Sequence, residues 1–234
     1  MSTILRVQRL NAWQSQSQVL FDIHLNVMEN GITALIGAKG AGKSSLLEAL
    51  FGLIRTSGRI RLNGKELQGE HPAQIAQAGL SLVPEERQLF TYLTVEENLL
   101  AGASSGRLGH WNLESIYTLF PTLYPKRHQP SGALCSGQQQ RVAIARGLMA
   151  NPKVLLCDEI SHGLPPTVAS SIYQQLPIIA ASGTALILVE QNLSLVLEKA
   201  HYLYALHQGR IVLEGEPATL DRNAISQVYF GVDA

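Results

Sequence analysis

Two groups of residues in this chain are typed and spaced for work on a polyphosphate. The first is Gly37-Ala38-Lys39-Gly40-Ala41-Gly42-Lys43-Ser44, followed by Ser45. Glycines let a backbone turn its N–H groups inward around phosphate oxygens, and a following helix adds its partial positive charge. Lys43 then reaches the β- and γ-phosphates, and the Ser44 hydroxyl suits a magnesium ion. The second group is Asp158-Glu159, at the end of the apolar run from Val154 to Cys157. A buried strand delivers Asp158 to its tip, where a parallel sheet places its ligand crevice. Asp158 would hold magnesium directly or through water, and Glu159 would orient and polarise the water that attacks a γ-phosphate. The ligand implied is a nucleoside triphosphate, with Mg²⁺ expected beside it.

Such groups need elements to carry them. Ile32 to Ile36 is a short strand-like run leading into the glycines. Leu46, Leu47, Leu50 and Phe51 share one face of the helix expected after them, with Gly52 as its C-cap. Ile4 to Val7 and Leu20 to Val27 suggest antiparallel strands ahead of the loop. Arg59 to Leu62, Asn63-Gly64 and Lys65 to Leu67 form a hairpin signal. Leu80 to Val83 is another short strand, ending at Pro84-Glu85, and Thr94 with Glu97 forms a capping box. The pattern is then helical to about Met149, with loops near 102–109 and 125–137. Val154 to Cys157, a helix over Val168 to Ala181, and Ala185 to Val189 make a βαβ crossover and predict a parallel sheet. A hairpin of Tyr202 to Leu206 with Arg210 to Leu213 and a short terminal helix follow.

Bulk properties narrow the class. A chain of 234 residues, 46% apolar, suits one compact α/β unit with a small inserted lobe. Lys plus Arg and Asp plus Glu number 18 each, so no global field favours nucleic acid or an anionic membrane. No apolar run is long enough to span a bilayer, and the N-terminus lacks the pattern of a signal peptide. Cys135 and Cys157 are too few for a disulfide framework, and Cys157 suits a small buried hydrophobe. These features imply a soluble, reduced, cytoplasmic protein.

Between the two phosphate groups lies Leu134-Cys135-Ser136-Gly137-Gln138-Gln139-Gln140-Arg141, opening an amphipathic helix. Here the chain closely resembles the ATP-binding cassette (ABC) ATPases, whose Leu-Ser-Gly-Gly-Gln signature occupies this place. The resemblance implies an α/β P-loop NTPase fold: a RecA-like core, an antiparallel β subdomain and an inserted helical lobe. Residues 1–88 and 150–234 would form the nucleotide-binding core, and 89–149 the lobe. It also implies a head-to-tail dimer, in which Cys135, Ser136, Gly137 and Gln138 close over the partner's nucleotide.

Departures from the family pattern are informative. Cys135 stands where the family has Ser, and Ser136 where it has Gly; alternatively, Ser136 supplies the hydroxyl after a small loop shift. A thiol is a weak donor, and one lost transition-state donor costs about 10²- to 10³-fold in rate. Glu85 replaces the usual Gln and Gln191 the usual His. Both resemble the second ATPase subunit of branched-chain amino acid importers, as does Ser161-His162-Gly163-Leu164-Pro165-Pro166. Glu85 would coordinate magnesium or the lytic water, and Gln191 would act by geometry on the γ-phosphate. Lys39 either adds charge near the β-phosphate or points to solvent. Trp13 is the aromatic expected to stack on adenine, or else a structural tryptophan. His162 is expected in a solvated loop.

The resemblance implies an energy-coupling ATPase of an importer for branched-chain or related small amino acids, peripheral at the cytoplasmic face of the inner membrane. Its partners would be membrane-spanning permease subunits, seated in a groove near Glu85 and Arg87 to Tyr92. A homologous second ATPase would complete the dimer, a heterodimer being favoured over a homodimer, and a solute-binding protein would join indirectly. No nucleic acid is expected. The alternatives are a regulatory nucleotide-binding subunit with little turnover, suggested by the degenerate signature, and an importer of urea or short amides.

Overall fold

Alternation of apolar and polar residues makes the first strands amphipathic: β1 (Thr3–Gln14) pairs antiparallel with β2 (Ser17–Met28) through several register shifts. The computed structural model describes residues 2–191 and 193–230, Phe230 by its backbone alone; Asn192 lies outside the described residues. All five residues of β3 (Ile32–Ile36) are buried, as befits a strand covered on both faces. Helix α1 (Lys43–Leu50) starts after Gly42, whose φ of 103° is left-handed, and buries Leu46, Leu47 and Leu50. The C-cap is Phe51, one residue before the Gly52 expected from sequence, and Gly52 follows it at φ 74°.

Strand β4 (Arg55–Leu62) turns through Asn63 and Gly64, both at positive φ, into the short β5 (Lys65–Glu66). This is the conformation a two-residue hairpin of matching twist requires. Helix α2 (Pro72–Ala78) and strand β6 (Leu80–Val83) follow. Helix α3 (Val95–Gly102) is capped by Thr94, which accepts from Glu97 N while Glu97 Oε2 accepts from Thr94 N. Buried Asn98 donates to the carbonyls of Phe90, Leu93 and Thr94, pinning the loop before α3. Helix α4 (Leu113–Leu119) gives way to a 3-10 turn over Pro121–Lys126, where Pro121 and Pro125 remove N–H donors. Helix α5 (Ser136–Met149) leads to β7 (Val154–Asp158).

The single helix expected between β7 and the next strand is two, α6 (Pro166–Tyr173) and α7 (Leu176–Ala181). Pro177 lies in the first turn of α7 and cannot donate back to Tyr173, so the ladder restarts there. Strand β8 (Ala185–Val189), helix α8 (Leu193–Lys199), the hairpin of β9 (Tyr202–His207) with β10 (Arg210–Gly215), and α9 (Arg222–Phe230) complete the described chain.

One four-stranded antiparallel sheet has the order β2-β1-β4-β5. The other runs β10-β9-β3-β8-β7-β6, parallel except for β10. Side chains on a strand alternate faces, so Leu155 and Cys157 pack with helical residues such as Leu99, Ile144 and Leu148. Val154 and Leu156 pack on the opposite face with Leu10, Leu46 and Leu50. Trp111 anchors the helical segment by donating Nε1–H to buried Thr184 Oγ1 at 3.1 Å. Parallel pairing brings the C-terminal tips of β3, β6, β7 and β8 to one edge, and these tips carry the glycine loop, Glu85, Asp158 and Gln191.

Candidate active site

The glycine loop is built against the last strands of the sheet. Gly37 has φ 150°, and a Cβ there would lie 2.3 Å from the Leu206 carbonyl oxygen, so a side chain is excluded by backbone. The loop opens on a cavity of about 630 Å³, lined by Lys39, Gly40, Gly42, Lys43, Ser44 and Ser45. Glu85, Glu159 and Gln191 line its other wall. Gly37, Ala38 and Ala41 form the loop behind that lining. Lys43 is buried, and its Nζ donates to the carbonyls of Gly37 and Ala38 at 2.8 and 3.0 Å. Burial holds its pKa below the ordinary lysine value, against the opposing pull of Glu159, Asp158 and Glu85.

Asp158 sits at the tip of β7, 8% exposed, and its Oδ1 has no hydrogen-bond partner. Burial pushes its pKa up to about 6, although the neighbouring Ser44 hydroxyl acts in the opposite sense. A buried carboxylate oxygen without a donor, beside a hydroxyl and facing a phosphate loop, fits an oxygen-seeking cation. Mg²⁺ suits this pair of residues.

Glu159 follows at φ 44°, a left-handed conformation uncommon for a side-chain-bearing residue and frequent at functional sites. Its N–H donates to Val189 O at 2.9 Å, and Gln191 Nε2 donates to both of its carboxylate oxygens. Gln191 therefore faces the catalytic carboxylate candidate as well as the cavity. The next turn is held by buried Glu190, whose carboxylate accepts from Ser161 N and Ser161 Oγ at 2.9 and 2.7 Å. Burial raises the Glu190 pKa despite these donors. Tyr229 of α9 donates to the Gln191 carbonyl.

Other residues emerge only in three dimensions. His162 is exposed, as expected of a loop, yet its imidazole lies 3.7 Å from Glu159 and 3.9 Å from Glu85. Trp13 does not line the cavity; it stands on β1 with the Arg55 guanidinium 4.6 Å from its ring centroid. The lining on that side is Gln14, Gln18, Val19 and Phe21. Their only sequence signal was their position just before and within β2. Arg87 donates to Gln140 Oε1, and Arg146 donates to the carbonyls of Arg87 and Gln88. These bonds tie the segment after Glu85 to helix α5.

Cys135 to Gln138 do not line this cavity. They open α5, where Cys135 is exposed and caps the helix without a side-chain hydrogen bond. Ser136 begins the helix, and a Cβ on Gly137 would lie 2.5 Å from Val168 Cγ1. A second cavity, about 710 Å³, runs past Gln88, Phe90, Gly102 and Arg146, and Tyr92, two residues after Phe90, is almost fully exposed. Among the described residues no helix is long and apolar enough to cross a membrane.

The family model for the ABC transporter matches residues 20–162. The high-affinity branched-chain amino acid transport ATP-binding protein BraG of Pseudomonas aeruginosa is 37% identical, over 97% of this chain and all of that protein. The probable branched-chain amino acid transport ATP-binding protein LivF of Archaeoglobus fulgidus is 33% identical, over 91% of this chain and 92% of its own length. Among solved structures, the ADP conformation of MJ1267, an ATP-binding cassette of an ABC transporter, superposes with a TM-score of 0.82 at 26% identity. That likeness covers 98% of this chain and 95% of the other.

Proposed function

The chain belongs to the ABC transporter family, and from that premise we propose that it hydrolyses ATP to energise an importer of branched-chain or related small amino acids. The observation that carries the reading is one cavity holding the glycine loop, Lys43, Ser44 and a Glu159 oriented by Gln191. The loop amides and Lys43 bind the phosphates, and Ser45 and Lys39 line the approach. Glu159 accepts the proton of the attacking water, and Gln191 keeps its carboxylate aimed. Mg²⁺ would be held by Ser44, Asp158 and Glu85, and would neutralise charge on the β- and γ-phosphates. The base lies against Val19 and Phe21, with Trp13 one residue before the cavity-lining Gln14.

Residues 1–88 and 150–234 serve as the nucleotide core and 89–149 as the lobe. Because Cys135, Ser136, Gly137 and Gln138 stand away from this cavity, they suit the nucleotide of a second, homologous ATPase, with each site completed in trans. The groove beside Phe90 and Tyr92 suits the cytoplasmic segments of permease subunits, which would hold the chain at the inner membrane. The cargo class follows the relatives' names alone, since no ATPase residue touches the solute.

ATP turnover of the chain alone and reconstituted with permease and partner ATPase tests this reading, each beside Glu159→Gln. Turnover is expected to appear on assembly and to fall by about 10²-fold or more in the variant. Tight ATP binding with no Glu159-dependent turnover in either setting would overturn it.

A further inference from the structure

The loop after β7 turns back on itself, with His162 N donating to Glu159 O at 2.9 Å. The turn sets the imidazole between two carboxylates from different strand tips. His162 Nδ1 lies 3.7 Å from Glu159 Oε2, and Nε2 lies 3.9 Å from Glu85 Oε1. One donor atom from each residue falls within 4.8 Å of the other two. Glu159 is fixed by Gln191, whereas Glu85 and His162 have 43% and 62% exposed side chains and are free to adjust.

We propose that Glu85, Glu159 and His162 form a binding site for a transition-metal dication of the Zn²⁺ class, separate from the all-oxygen pair of Ser44 and Asp158. Zinc ligands at about 2.0–2.1 Å from a tetrahedral ion stand roughly 3.3 Å apart. Glu159 is buried and held, so reaching that spacing falls to rotation of the exposed Glu85 and His162 side chains. One imidazole with two carboxylates is a borderline ligand set that suits Zn²⁺ and neighbouring dications; Mg²⁺ prefers oxygen alone. Entry is open, since Glu159 and His162 line both the 630 Å³ cavity and an adjoining one of about 360 Å³. Glu85 is the one group this site shares with the magnesium assignment.

A dication held there takes the Glu159 carboxylate away from water. Zinc at this site is therefore an inhibitor of turnover, a consequence that rests on the proposed role of Glu159. The binding itself does not rest on it, and it is measured without ATP.

Calorimetric titration of the nucleotide-free full chain with Zn²⁺ is the test, in buffer free of magnesium. One site per chain is expected, weakened about tenfold or more by His162→Ala and by Glu85→Gln. His24→Ala and Cys135→Ser are controls for the exposed His24–Asp22 pair and the exposed thiol, and neither is expected to move the affinity. His162 is an exposed loop residue, so its variant reports a lost ligand with the fold kept, which a thermal melt verifies. Zinc affinity unmoved by His162→Ala, or abolished by Cys135→Ser, would overturn the site.

Discussion

Gln191 Nε2 donates to both carboxylate oxygens of Glu159, at 2.6 and 2.7 Å. A neutral amide does here by geometry what a charged group does elsewhere by attraction: it restricts the carboxylate to one orientation. A carboxylate free to rotate loses alignment with the attacking water, and misplacement of about 1 Å is worth about 10²-fold in rate. Gln191→Ala is therefore expected to lower kcat of the assembled ATPase by one to two orders of magnitude, with ATP affinity little changed. Single-turnover kinetics beside equilibrium nucleotide binding check it; an equal loss in both would show that Gln191 acts on ground-state binding.

Cys135 makes a second prediction with two readouts. It caps a 14-residue helix with no side-chain bond to the first turn. A serine there can accept from a free N–H, and an N-cap of this type is worth about 1 kcal/mol. Cys135→Ser is expected to raise the unfolding free energy of the isolated chain, read from urea denaturation, by that order. It is also expected to raise turnover in the assembled complex at the partner's nucleotide, because the hydroxyl is the stronger donor. Stabilisation without faster turnover would mean that Ser136 already supplies the donor.

Tyr204 links the two layers of the fold. Its hydroxyl accepts from Asn26 N at 2.9 Å and donates to Asn26 O at 3.2 Å, joining β9 to β2. Burial is the main cause that pushes its pKa up to about 12. Between pH 10 and about 12 the unfolded chain loses this proton and the folded chain keeps it. The folded state then binds more protons, so stability falls as pH rises through that window and is intact below pH 10. Tyr204→Phe is expected to cost about 1 kcal/mol near neutrality, from the lost hydrogen bonds. It should also flatten the alkaline limb of stability against pH, measured by urea unfolding.

Local signals were clear where local physics is sufficient. The glycine loop, the apolar β7 ending in Asp158-Glu159, the Thr94–Glu97 capping box and the Asn63-Gly64 turn are all short-range patterns. Each forms the element expected. The helix after β7 was harder, because Pro177 tolerates the first turn of a helix and breaks the interior of one. Periodicity alone does not tell which turn it occupies. Trp13 shows the other limit. An aromatic at about the right distance before the loop lies under Arg55, while Val19 and Phe21 line the cavity.

Residue type and spacing in this chain determined the ligand chemistry, because phosphate-binding loops and paired acids work through a few contiguous residues. They also determined the fold, since the βαβ order forces a parallel sheet. Only the tertiary structure decided who meets whom at the edge of that sheet. Glu85, Glu159, His162 and Gln191 come from three strand tips, brought together by the parallel order β8-β7-β6. No pattern along the chain carries that information, because it depends on which strands lie side by side and on the left-handed turn at Glu159.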